Sequence, residues 1–109
     1  MATTPEYREY ILDLLNAVQP VSDRKMFGGV GIFIEEGMFA LITSDDIFHF
    51  KVDDDNRSDY EAAGMPQFGR MPYYQVPAEV LESQEELRMW MEKAMEAARQ
   101  AAKKKKKKK

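Results

Sequence analysis

Apolar residues Tyr7, Ile11, Leu14, Leu15 and Val18 recur at helical spacing near the start of the chain, which lines them up on one face of an α-helix. Thr4 supplies an N-cap, Pro5 suits the first helical position, and Glu6 complements the positive end of the helix dipole. Pro20 ends the helix. From Lys25 the period changes. Met26 to Ile34 is rich in glycine, β-branched and aromatic residues, Glu35-Glu36-Gly37 reads as a hairpin turn, and Met38 to Thr43 returns as a nearly continuous apolar strand. Ser44-Asp45-Asp46 turns the chain into a third strand, Ile47 to Val52. Links this short predict an antiparallel meander.

In the second half, Asp53-Asp54-Asp55 precedes a short segment from Asn56 to Ala63, and Gly64 follows it. That pattern predicts a small helix with an N-cap and a left-handed C-terminus. Gln67 to Arg70 and Tyr73 to Val76 read as two short strands, held to an edge position by Pro72 and Pro77. Ser83-Gln84-Glu85-Glu86 has capping-box spacing, and Leu87, Trp90, Met91, Ala94, Met95 and Ala98 form the stripe of a last helix. The expected order is helix, three strands, helix, two strands, helix. This is an α+β fold of two layers, a mainly antiparallel sheet covered by helices on one face.

Composition narrows the class. At 109 residues, residues 1–102 make one domain, and with 44% hydrophobic residues it is a globular one. The absence of cysteine excludes a disulfide scaffold, a thiol nucleophile and cysteine-ligated metal. No run approaches the ~18 apolar residues of a membrane span, and Met1 to Glu9 is acidic where a signal peptide would be basic. A cytoplasmic location is therefore the expectation. The sixteen basic residues include the seven lysines at 103–109; the remaining nine face nineteen acidic side chains, a net charge of −10 over residues 1–102. The body would repel a phosphate backbone, and only the lysine run, expected to be a disordered tail, would attract one.

No residue set assembles into a reactive centre. Phe27-Gly28-Gly29-Val30-Gly31 invites a phosphate-loop reading, but Ile32, Phe33 and Ile34 continue as strand and no Lys-Ser/Thr pair follows. Glycines that permit a bulge or a close backbone approach explain the run better. Counted as a calcium loop from Asp53, the chain puts Ser58 where glycine belongs and Gly64 where the bidentate glutamate belongs. His49 is the single histidine, so no zinc site of the usual kind forms. On a strand it points opposite Phe48 and Phe50, toward the less buried side, which suits a surface or partner contact. Met91 and Met95 belong to the core stripe, whereas Met38, Met71 and Met89 are better placed for an interface. No catalytic activity, metal or cofactor is expected.

Residues 24–52, from Arg-Lys-Met-Phe-Gly-Gly through Phe-His-Phe-Lys-Val, resemble the TfoX (Sxy) N-terminal domain family. So do Asp53 to Phe68, with its Asn-Arg-x-x-Tyr-Glu-Ala-Ala-Gly-Met core, Met71-Pro72-Tyr73-Tyr74-Gln75-Val76-Pro77, and the run Glu79 to Glu82. The likeness spans about residues 6–100. It implies a two-layer α-β₃-α-β₂-α fold similar to secretion-chaperone-like folds, and no catalytic residues. Larger relatives regulate competence for DNA uptake with a global transcription activator and carry a further C-terminal helical domain, for which residues 1–109 hold no counterpart. The positions it marks are Arg24, Lys25, Met26, Phe27, Gly28, Gly29, Tyr73 and Tyr74. With His49 they are the candidate interaction residues. The expected role is regulatory protein contact, with transcription machinery as the expected partner class, and pairing across the exposed edge of the last two strands is the expected route to a homodimer. Two rival expectations are weak nucleic-acid binding through the lysine tail, and a small ligand pocket lined by Tyr73, Tyr74, Arg24 and His49.

Overall fold

The computed structural model describes residues 4–26 and 28–107. Helix α1 (Pro5–Val18) begins as the sequence predicts: the Tyr7 amide donates to Thr4 Oγ1 at 3.3 Å. The hydroxyl and amide of Thr4 also donate to the Asp46 carboxylate, which ties the helix start to a sheet turn. Next come β1 (Ser22–Met26), β2 (Gly29–Ile34), β3 (Gly37–Ile42) and β4 (Phe48–Lys51). After them follow α2 (Arg57–Ala62), β5 (Tyr73–Gln75), α3 (Ala78–Glu82) and α4 (Gln84–Lys107). The five strands form one antiparallel sheet in the order β1-β2-β3-β4-β5.

The elements differ from the expected ones in four places: the short helix α3, packed by Val80, precedes α4 where none was expected, and three further differences each have a physical reason. The run from Met26 splits at Gly28, whose φ of 80° makes a hairpin turn, and the polar Ser22–Met26 becomes an edge strand. Its exposed pattern carries no apolar period, because it pairs only with β2 and needs little burial. The two strands expected after α2 reduce to β5 alone. Gln67 keeps a single bridge to Tyr74, and the amides of Gln75 and Phe68 close the outer edge by donating to Pro66 O at 3.0 Å and to Tyr73 O at 2.8 Å, respectively. The β5 edge proposed for dimer pairing is therefore already occupied. Finally, α4 continues to Lys107, past Ala102; alanine favours the helix, and lysines suit its negative end.

Strand alternation sends Val30, Ile32 and Ile34, then Ala40 and Ile42, then Phe48 and Phe50 into a core shared with Ile11 and Leu15 of α1, Tyr60 of α2, Val80 of α3 and Leu87, Met91, Ala94 and Met95 of α4. All four helices thus lie on one face. The register slips between Ile32 and Phe33, so Phe39 is the extra residue of a bulge, and both Phe39 and Ala40 reach the core. That slip accounts for the continuous apolar look of β3. Full burial of each such side chain stabilises the fold by about 1.5–3 kcal/mol.

Candidate functional site

The other face of the sheet carries no helix. Its residues follow from the same alternation: Arg24, Gly31, Leu41, His49 and Gln75 stand in one row across the five strands. Met26, Phe33, Met38, Lys51 and Tyr73 flank that row. Gly29 and Gly31 also belong to this face, and neighbouring atoms fill the space a side chain would take at each. Over Gly31 lie the thioethers of Met26 and Met38; a Cβ there would meet Met38 Sδ at 2.7 Å and Met26 Cε at 3.0 Å. Gly29 serves a different purpose. Its backbone passes so close to β3 that a Cβ would sit 2.1 Å from the Ile42 carbonyl oxygen.

Where β3 ends at Ile42, a cavity of about 390 Å³ opens, a size typical of ligand sites. The cavity lies among the Met26–Gly29 end of the first hairpin, the 43–47 turn and the segment Pro66–Gly69, and most of its wall is apolar. His49 forms part of the wall and is only 5% exposed. The face predicted for His49 is right, but its exposure is not, because Phe68 folds across it with ring centroids 5.1 Å apart. Gly64 and Gly69, both at positive φ, let the chain bend at each end of that covering segment.

His49 Nδ1 lies 3.1 Å from the Ile47 carbonyl oxygen. A carbonyl only accepts, so Nδ1 carries the proton and Nε2 is the bare acceptor of the neutral ring. Burial holds the imidazole pKa below its ordinary 6.5, outweighing the opposing pull of Ile47. The folded pKa is thus depressed below the unfolded one. Below pH 6.5 the unfolded chain takes up a proton that the folded chain resists, and stability falls until the folded pKa is passed. Urea unfolding between pH 7.5 and 5 should show this loss in the native chain and a smaller loss in His49→Leu; equal pH slopes would contradict it.

The candidate interaction residues do not form one cluster. Gly29 and His49 line the cavity, and Arg24 shares their face, its guanidinium 5.1 Å from the Phe33 ring centre. Tyr73 is also on this face, but its hydroxyl is spent on Met38 O at 3.3 Å and burial pushes its pKa up to about 12. Lys25 and Tyr74 point to the helix side, where Tyr74 packs on Tyr60 at 5.6 Å. Gly28 shapes the turn, and Phe27 lies outside the described residues. The pocket that Tyr73, Tyr74, Arg24 and His49 were expected to share does not form.

Leu41, Phe68 and Gln75 were missed. Alternation against Val30 and Ile32 was enough to place Leu41 beside His49; Phe68 reaches the site from a loop, and no periodic signal marks it. Met71 and Met89 are exposed, as expected of interface methionines, whereas Met91 and Met95 are buried. Among the described residues no group of three or more His, Cys, Asp or Glu side chains could hold a metal ion, and no helix is long and apolar enough to cross a membrane. No curated protein matches the chain. The TfoX N-terminal domain matches residues 13–98, most of the chain and every strand of the sheet, and the protein belongs to that family.

Proposed function

We propose that this chain is a non-catalytic regulatory domain that works by binding a protein through the helix-free face of its sheet. One observation carries the reading. The four helices all cover one face, while the other presents Phe33, Met38 and Phe68 around a cavity partly walled by Leu41. Apolar side chains grouped beside a cavity are the usual setting of a contact surface. Methionines on that face add side chains that adapt to a partner's shape. The family setting agrees, since larger relatives act on transcription in company with a protein activator. The acidic body argues against a nucleic-acid backbone as the ligand of this face.

The test compares faces. Met38→Glu and Phe68→Glu each place a charge on the sheet face, and Met89→Glu places one on exposed α4. A native partner, captured by the full chain and then purified, should bind the first two variants about tenfold or more weakly and the third like the native chain. Loss with Met89→Glu and retention with the other two would overturn the proposal. Removing 103–109 should leave this binding unchanged.

A further inference from the structure

Resting on the contact role just proposed, we infer that the cavity beside His49 receives an aromatic side chain of the partner that carries a hydrogen-bond donor, tryptophan or tyrosine. Three observations define the occupant. The walls contributed by Met26, Leu41, Ile47 and Phe68 are apolar and suit a ring. Set into them is one nitrogen acceptor: His49 Nδ1 is committed to Ile47, and Nε2 makes no hydrogen bond within the protein. Tyr60 Oη is the one enclosed side-chain N or O atom lacking a partner among the described residues, so Nε2 keeps access to solvent, and His49 is part of the cavity wall. A ring bearing an indole N–H or phenol O–H satisfies both walls and acceptor, whereas a phenyl ring would leave the acceptor unpaired.

The third observation is the rim. Phe33 and Met38 stand on the same face outside the cavity wall, so the chain that carries the inserted ring has apolar surface on which to lie. A buried aromatic anchor with a contact rim is how most protein interfaces concentrate their affinity. Asp45, on the 43–47 turn, is the only charged side chain among the described residues that line the cavity. Its carboxylate adds a further acceptor, which also favours a donor.

The full chain holds one histidine, so its imidazole nitrogen resonances are unambiguous. N-acetyltryptophanamide, N-acetyltyrosinamide and N-acetylphenylalaninamide serve as side-chain probes. The first two should bind and shift the Nε2 resonance, and the third should bind about tenfold more weakly, the worth of one neutral hydrogen bond, and leave Nε2 in place. His49→Phe should remove the preference; the comparison in the native chain needs no variant. Equal affinity for all three, binding without an Nε2 shift, or no binding of any up to the solubility limit overturns the inference. None of these results touches the broader contact reading, which the partner affinity of Met38→Glu and Phe68→Glu tests separately.

Discussion

Gly29→Ala is expected to cost about 3 kcal/mol or more, because overpacking against atoms that cannot yield lies at the severe end of single substitutions. The new Cβ would sit 2.1 Å from Ile42 O, 3.2 Å from the Ile42 carbonyl carbon and 3.3 Å from that of Thr43, all of them backbone. Relief requires β2 and β3 to part at the end of their ladder, where Val30 pairs with Ile42. In a domain of this size the melting temperature should drop by roughly 12 °C or more. Gly31→Ala is the matched control. The atoms its Cβ meets are the ends of two methionines, which can turn aside, so the cost should stay below about 1 kcal/mol. Thermal unfolding of both variants decides the matter; equal costs would contradict the geometry.

The second large effect is expected at Asn56. This side chain is 1% exposed, and it joins β4 to α2 by donating from Nδ2 to Lys51 O at 3.1 Å while Oδ1 accepts from the Asp53 amide at 2.8 Å. Asn56→Asp keeps the acceptor but turns a carboxylate oxygen toward the Lys51 carbonyl, inside a segment already holding Asp53, Asp54 and Asp55. The expected loss is about 3 kcal/mol at pH 7, the cost of breaking a buried polar pair and leaving a charge unpaired. The introduced carboxyl would have a folded pKa above its unfolded value. Its penalty is therefore largest above the folded pKa and shrinks as pH falls, when the protonated acid can donate to Lys51 O. Urea titrations at pH 7 and pH 4, each referred to the native chain, should show that recovery; a penalty independent of pH would contradict it.

Much of this architecture was legible in the residues because burial imposes a period. The α1 stripe, the three central strands and the α4 stripe are where the pattern puts them, and the helices cover one face as it implies. What escaped detection has little buried surface. β1 is polar because an edge strand exposes much of what it carries, and α3 is a single turn or so packed by Val80. The acidic run before α2 reads as an ordinary helix cap, yet Asn56 makes no cap bond and reaches back to β4 instead. Long-range polar bonds of this kind leave no periodic trace. The site divides in the same way. Gly29, Met26 and His49 could be placed on one face by alternation, while the burial of His49 depends on Phe68, which arrives from a loop of exposed residues.

Methionine methyl resonances offer the most direct test of the proposed contact, because the methionines are spread over both sides of the molecule. Met26 and Met38 lie over Gly31 on the helix-free sheet face, Met89 is exposed on α4, and Met91 and Met95 sit in the core. When the purified partner is added to the full chain, the Met26 and Met38 methyl signals should shift while that of Met89 stays in place. A shift at Met89 with Met26 and Met38 unmoved would mean that the partner rests on the helices, and the bare sheet face would not be the working surface.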